Sequence, residues 1–430
     1  MIVLYILLAV LVLLLMVTIH EFGHYIAGKI LGFKINEFSI GFGKSLYSHK
    51  CKSGEIFSIR LFPLGGYCAF EGEEDDSEES GAFMKQKPWK RIIVLFNGAF
   101  FNFISAIVFC FILLVSAGYD IPQVYSVDNV VKITNCYEVS TVNQFTLKDN
   151  DKITKINGSQ IVYHDETFEF IYPSDLATIF GDDEIYTEPS YQITVSRDDE
   201  FTDKNLTVNV EYNNNIGIIK QGDVIYKVNG VSVDFITNNT FDVLVNNAIS
   251  SGENLSLTVV RDGEQLTIEN VNFYDKGIKN QDGKYQKAIG ISRTAYRFTV
   301  GEALVRSVPY TFGFAWKVLE ALGGIITGQV GIKDIGGPIF TIGTMAKYSQ
   351  VSFNNLLIFL PLISANLAIF NWLPIPALDG SKIFLTLIEW IKGKPLFSQK
   401  TENMIHTVGF MLLLGLVVVA DLFHIITAII

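Results

Sequence analysis

Basic residues are scarce in this sequence: 33 Lys and Arg stand against 44 Asp and Glu in 430 residues, a formal net charge of -11. No basic cluster is present to follow a phosphate backbone, which excludes nucleic acid as a partner. Cysteine is scarce as well. Cys51, Cys68, Cys110 and Cys136 show no C-x-x-C spacing and fit neither a zinc ribbon nor a disulfide framework. Charge of either sign makes up only 18% of the chain, against 49% hydrophobic residues. With several long uncharged runs, that balance excludes a fully soluble protein and fits a membrane protein carrying one sizeable soluble portion.

The apolar runs predict four membrane-spanning helices. The first run, from Ile2 to Thr18, continues after a polar interruption to Phe33. It has no basic leading region or small-residue cleavage site and is longer than a leader's apolar core, so it is expected to be a span and not a cleavable signal. Further spans are expected at Ile92 to Ala117, Phe353 to Trp372 and about Thr407 to Ile430, where Asp421 and His424 read as interfacial. Val300 to Ile326 contains Glu302, Arg306, Lys317 and Glu320 with Pro309, and is expected to be an amphipathic helix on the membrane surface. Ten Lys and Arg lie between Lys29 and Arg91, and four Lys (382, 392, 394 and 400) follow the third span. The positive-inside rule then places both segments in the cytoplasm, and places both termini and the segment from about Gly118 to Gln350 outside.

The polar interruption of the first span is His20-Glu21-Phe22-Gly23-His24. On a helix, H-E-x-x-H sets two imidazoles one turn apart on one face, able to share one Zn²⁺, with the Glu between them as general base. Ionisable groups are costly inside a membrane, which makes His20, Glu21 and His24 functional candidates by default. A catalytic zinc usually has a third protein ligand. The candidate is Asp379 in Asn371-Trp372-Leu373-Pro374-Ile375-Pro376-Ala377-Leu378-Asp379-Gly380, where prolines break the helix just beyond the third span. Odd-numbered spans run the same way, so the two motifs reach the same, cytoplasmic, membrane face. The acidic stretch from Glu71 to Glu79 is expected there as a solvated loop.

The soluble segment repeats itself. Asp151-Lys-Ile-Thr-Lys-Ile-Asn157-Gly158 recurs as Asp223-Val-Ile-Tyr-Lys-Val-Asn229-Gly230, and each copy is followed by an alternating strand ending in a turn, Asp198 in the first and Asp262-Gly263 in the second. Alternating apolar residues meeting Asn-Gly and Asp-Gly predict β-hairpins. The order strand, turn, short helix (Phe241 to Ser250) and hairpin resembles PDZ domains. Two are read in tandem, the first degenerate with an acidic insertion around Asp182 to Glu188; modules of this kind bind peptides by strand addition.

With these motifs in view, the chain resembles site-2-type intramembrane metalloproteases of the bacterial regulator-of-sigma-E protease group over nearly its whole length. His20 to His24 matches that family's H-E-F-G-H, Gly98-Ala-Phe-Phe-Asn102 its G-x-x-x-N, and Asn371 to Gly380 its N-x-x-P-x-P-x-L-D-G. Phe62-Pro-Leu-Gly-Gly-Tyr67 resembles the end of its membrane-associated β-hairpin, expected from about Phe38 to Tyr67. Trp372, Ser381 and Gly336-Gly337-Pro338 depart from the usual pattern without touching a presumed ligand.

The resemblance implies a polytopic α-helical membrane protein of about four transmembrane helices, with a membrane-associated β-hairpin and inserted tandem PDZ-like α+β domains. The expected divisions are an N-terminal membrane domain (1–117), PDZ-like domains at 121–212 and 213–290, an interfacial helix and connector (298–348) and a C-terminal membrane domain (351–430). It further implies a zinc-dependent endopeptidase of the cell inner membrane. Its substrates would be transmembrane segments of single-pass proteins, anti-sigma-factor-like regulators or signal-peptide remnants. His20, His24 and Asp379 would hold Zn²⁺, Glu21 would be catalytic, and Asn102 and Asn371 would position substrate. The lipid bilayer and peptide ligands of the PDZ-like domains complete the expected partners. The competing reading is a non-enzymatic PDZ-bearing membrane scaffold.

Overall fold

The computed structural model describes residues 2–73, 77–127, 130–138, 152–156, 159–160, 190–197, 200–279, 285–331 and 336–429. The chain divides into two compact units: residues 1–118 with 297–430, and the inserted residues 119–296. The helices are α1 (Ile2–Leu31), α2 (Pro88–Ser116), α3 (Phe241–Ser251), α4 (Val300–Ile326), α5 (Pro338–Val351), α6 (Asn354–Trp372), α7 (Asp379–Lys392) and α8 (Gln399–Ile429). All but α3 belong to the first unit.

Among the described residues, four helices are long and apolar enough to cross a membrane: α1, α2, α6 and α8, the last over Gln399–Thr427. Their order is the expected one, although α8 begins earlier than Thr407. On α1 the buried positions are Ala9, Val12, Met16, His20, Gly23, His24, Ala27 and Gly28. That three-and-four spacing makes one stripe down the helix, while Leu4, Leu7, Leu11, Leu15 and Ile30 point outward. The upper stripe packs with Met345 of α5 and with Leu356 and Ile363 of α6. In lipid, where tails are as apolar as Leu, such contacts hold by close packing and not by exclusion of water.

Three local details add to the sequence reading. Asp421 is buried in α8 and accepts from the backbone N–H groups of Ile339 and Phe340, at 3.1 and 2.9 Å, at the N-terminus of α5. It is a helix anchor, and a side chain on Gly337 would strike its carboxylate. α4 packs against α2 and α6, with Phe312 set edge-on to Phe103. Of the four lysines after the third span, Lys382 and Lys392 lie on a helix, α7, ended by the left-handed Gly393, and Lys400 lies on α8.

The expected hairpin is more elaborate than two strands. β1 (Ile35–Lys50) and β2 (Ile56–Phe70) both bend, so the register folds back on itself. Phe38, Ser39 and Ile40 face Cys68, Tyr67 and Gly66 on one side and Phe57, Ser58 and Ile59 on the other, while His49 and Lys50 face Phe57 and Ile56. The first part of β1 is therefore interior, and residues 66–70 form an outer edge. The turn is tied to α1 by Glu55, 4% exposed, which accepts from Lys29 (2.7 Å), Ser53 (2.9 Å) and Tyr25 (3.0 Å). Burial alone would raise this carboxyl, but those bonds, with a backbone N–H, bring it down to about 2.

In the inserted unit, one sheet has the order β12-β11-β9-β3-β15 (Glu264–Val271, Leu255–Arg261, Val224–Val228, Pro122–Val127, Ile291–Ala295), with β10 (Val231–Ser232) paired to β9. Its core is Ile225, Val228, Leu255, Leu257 and Val259, and α3 buries Phe241, Leu244, Val245 and Ala248 at helical spacing. Positive φ at Asn229 (48°), Gly230 (78°), Asp262 (52°) and Gly263 (85°) makes both tight turns the primed type expected of Asn-Gly and Asp-Gly. The buried Asp223 takes Arg261 through two 2.7 Å bonds. Residues 122–127, expected with the first repeat, pair in this second-repeat sheet instead. The other large sheet has the order β4-β8-β7-β5-β6 (Val130–Glu138, Glu200–Tyr212, Ser190–Arg197, Lys152–Ile156, Ser159–Gln160). β13 (Tyr274–Lys279) and β14 (Tyr285–Ala288) form a separate pair. Asp151, Asn157-Gly158, Asp198 and the acidic insertion lie outside the described residues.

Candidate metal centre

His20 and His24 lie one turn apart on the buried stripe of α1, their rings edge to face at 4.7 Å. His24 Nδ1 is 2.9 Å from the backbone oxygen of Val94 on α2. A carbonyl only accepts, so Nδ1 carries the proton and a neutral ring presents its lone pair at Nε2. The two Nε2 atoms are 3.2 Å apart, and Asp379 Oδ2 lies 3.0 Å from that of His20 and 3.2 Å from that of His24. Burial alone would raise the Asp379 carboxyl, yet positive charge held on the histidine side, as a shared proton or an ion, keeps it well below the usual range. It is an ionised acceptor, and its buried Oδ2 receives no hydrogen bond of acceptable geometry.

Three acceptor atoms thus converge on one point. Ligands held at about 2.0–2.1 Å around a tetrahedral ion lie roughly 3.3 Å from one another, close to the spacings seen here. Two imidazoles and a carboxylate are also a common donor set for a catalytic divalent metal. The residues fit such an ion.

Glycines make the convergence feasible. A side chain on Gly23 would strike the backbone of Asn97, and one on Gly98 would enter the His24 ring and lie 2.9 Å from His20 Cε1. α1 and α2 therefore cross where each has no side chain. Asp379 opens α7 after a turn containing Pro374 and Pro376, and a side chain on Gly380 would strike the carbonyls of Trp372 and Leu373. Trp372 stacks on Phe96 of α2 at 5.1 Å, holding the end of α6 against it.

A cavity of about 780 Å³ opens over these residues, and His20, Glu21, His24, Tyr67, Cys68 and Asp379 are in its wall. The Glu21 carboxylate accepts from the backbone of Cys68, on the outer edge of the hairpin sheet. Glu71 and Glu73, at the start of the acidic stretch, also line the cavity. Glu71 accepts from Asn36 and Ser77. Glu73 pairs with Lys382 at 2.7 Å; burial alone would lower that ammonium, and the carboxylate instead raises it. Residues 74–76 lie outside the described set.

Asn102 is fully buried, with Nδ2 3.5 Å from His20 Nδ1 and Oδ1 without a partner. It stands behind His20 and not in the cavity wall. Asn371, in the last turn of α6, donates to Leu367 of its own helix at 3.0 Å and is also outside the wall. The Val94 carbonyl, the Cys68 backbone and the cavity-facing edge of β2 carry no signal in the sequence, because backbone groups are the same at every residue.

The geometry defines a class: a hydrolytic metal centre built into a bundle of membrane-spanning helices. Comparison with known proteins gives the family. Residues 8–416 match Peptidase family M50, and the chain belongs to that family, the site-2 proteases; it is a membrane metalloendopeptidase. It is similar, at 27% identity over 97% of both chains, to the protein named "Putative zinc metalloprotease CPE1693" of Clostridium perfringens. It is also 27% identical to the regulator of sigma E protease of Haemophilus influenzae, over 94% of this chain and 95% of that one.

Proposed function

We propose that this protein is a zinc-dependent intramembrane endopeptidase that cuts the transmembrane segments of single-pass membrane proteins, with anti-sigma-factor-like regulators and signal-peptide remnants as the substrate class. The observation that carries this reading is the meeting of His20 and His24, beside Glu21 on a helix apolar enough to lie in a bilayer, with Asp379 from the turn just beyond another such helix. His20, His24 and Asp379 would hold the ion. Zn²⁺ bound there supplies a Lewis acid that polarises the scissile carbonyl and acidifies the attacking water.

The remaining work falls to side chains and backbone. Glu21 takes the proton of the attacking water and delivers it to the departing amine as the C–N bond breaks. The Cys68 backbone bond keeps its carboxylate aimed into the cavity. A helical substrate has its carbonyls already bonded and must unwind before it can be cut. The outer edge at residues 66–70 offers an unwound segment a strand to pair with. For Asn102 the geometry favours a role the sequence did not suggest. With its amide turned so that Oδ1 meets His20 Nδ1–H, it satisfies its own buried oxygen and fixes the tautomer that leaves His20 Nε2 free to ligate. Asn371 keeps its proposed contact with substrate, on resemblance alone.

The Lys/Arg asymmetry supports a cytoplasmic active site in the inner membrane, with the inserted unit on the other side. The strand, turn and helix order of that unit supports PDZ-like modules that bind peptides and gate substrate entry. The deciding experiment is cleavage of a single-span substrate in proteoliposomes. Wild type should give a product cut within the span, and Glu21→Gln none. Cleavage by Glu21→Gln near the wild-type rate refutes the mechanism. Cysteine labelling in intact cells should succeed at position 230 and fail at 75; the reverse pattern overturns the sidedness.

A further inference from the structure

Asp379 reaches the histidines from a turn that the local sequence does not favour. Ala377, two residues before it, has φ 85°, a left-handed conformation that costs any residue with a Cβ and persists only where surrounding contacts impose it. The contact comes from α8. The Ala377 N–H donates to His406 Nδ1 at 3.2 Å. Ser381 donates from Oγ to the Leu378 carbonyl at 2.8 Å and stands 3.4 Å from the same His406 nitrogen. One turn beyond His406, Gly409 brings α8 so close that a side chain would lie 2.9 Å from the Pro376 backbone. Since Nδ1 accepts, the neutral ring carries its proton on Nε2, which is buried without a partner on the side of a second cavity of about 400 Å³ lined also by Lys382 and Glu402.

We propose that His406, with Ser381, is a positioning residue that clamps the left-handed Ala377 turn and so sets Asp379 against His20 and His24. The inference rests on the reading of these three as metal ligands. His406 touches neither the ion nor substrate. It acts through the turn, and α8 is therefore coupled to the metal centre.

The test uses full-length protein in detergent, and it reads the rate at which Zn²⁺ is lost to a chelator, alongside thermal unfolding. His406→Leu should lose zinc about 10- to 100-fold faster than wild type, the range seen when an outer-shell partner of a metal site is removed. His406→Gln, whose amide oxygen can accept the Ala377 N–H, should recover most of the loss. Adding Ala377→Gly to His406→Leu should recover part of it, because glycine adopts this φ without strain. Ser381→Gly should show a smaller acceleration in the same direction. A folded His406→Leu that holds zinc as wild type does overturns the proposal, as does a double variant no better than the single. If His406→Leu fails to fold, Ser381→Gly and His406→Gln decide: a wild-type rate in the first together with loss in the second overturns the clamp. His24→Ala is the separate control. Full zinc retention there would bring down the metal-centre reading itself, whatever His406 does.

Discussion

His20 and His24 stand four residues apart on one continuous helix, whereas Asp379 arrives on a turn between two helices. The histidine limb is regular. Helical periodicity sets the spacing of the two rings, and α2 supplies a carbonyl for one and clearance for both. The aspartate limb is irregular. It depends on two prolines, a glycine pressed against carbonyls, a left-handed alanine and a histidine from a third helix. A ligand on a helix is positioned by local geometry, while a ligand on a turn must be positioned by its neighbours. The second limb should therefore be the more sensitive to changes at a distance.

The largest effect expected separates chemistry from metal holding within the histidine limb. Glu21→Gln should lower the cleavage rate by about 10²- to 10⁴-fold, the usual range for a general base, while zinc content stays near one ion per chain. Single-turnover kinetics and metal analysis on one preparation check both halves. Gly98→Ala should come next, since its methyl group enters the space of the His24 ring. Zinc affinity should fall at least tenfold, in the range of other losses of ligand support; unchanged affinity would show that α1 and α2 can part without cost.

Gly380→Ala probes the other limb. Its methyl group meets the Trp372 and Leu373 carbonyls, so the turn must shift and Asp379 with it. Affinity should fall, and more than for Ala added to exposed faces of α1. Chelator titration of the paired variants would reverse the comparison if Gly380→Ala proved harmless and such α1 surface variants did not.

The smallest effect concerns the tie between the hairpin sheet and α1. Glu55 has a depressed carboxyl pKa, so its stabilising bonds are present above the ordinary value of 4.5 and are lost as the pH falls toward about 2. Glu55→Gln should flatten the acid limb of hairpin protection in that window, measured by hydrogen exchange at residues 56–60, and leave neutral-pH zinc binding unchanged. An acid limb identical to wild type would show that the tie to Lys29 adds nothing.

The limits of the sequence follow the same division. The order of the four spans was legible because lipid demands long apolar runs, although the start of α8 was not, polar residues being tolerated at its end. The Asn229-Gly230 and Asp262-Gly263 turns were legible because few residue types accept positive φ. The doubled register of β1 was not, since alternation marks a strand without naming its neighbours. Nor was the pairing of residues 122–127 with a sheet far along the chain. The partners of Asp421 were not legible either, being two backbone N–H groups, which no side-chain pattern announces.

By itself, then, the sequence determined the helices, the reactive residue types and the one-turn spacing of His20 and His24, because local periodicity and lipid solvation act on neighbours in the chain. Only the tertiary structure decided that Asp379 meets them at about 3 Å, that Cys68 steadies Glu21 and that His406 holds the Ala377 turn. Those are contacts between segments far apart in sequence. Their distances are set by where glycine lets helices touch and by which backbone groups are left to bond.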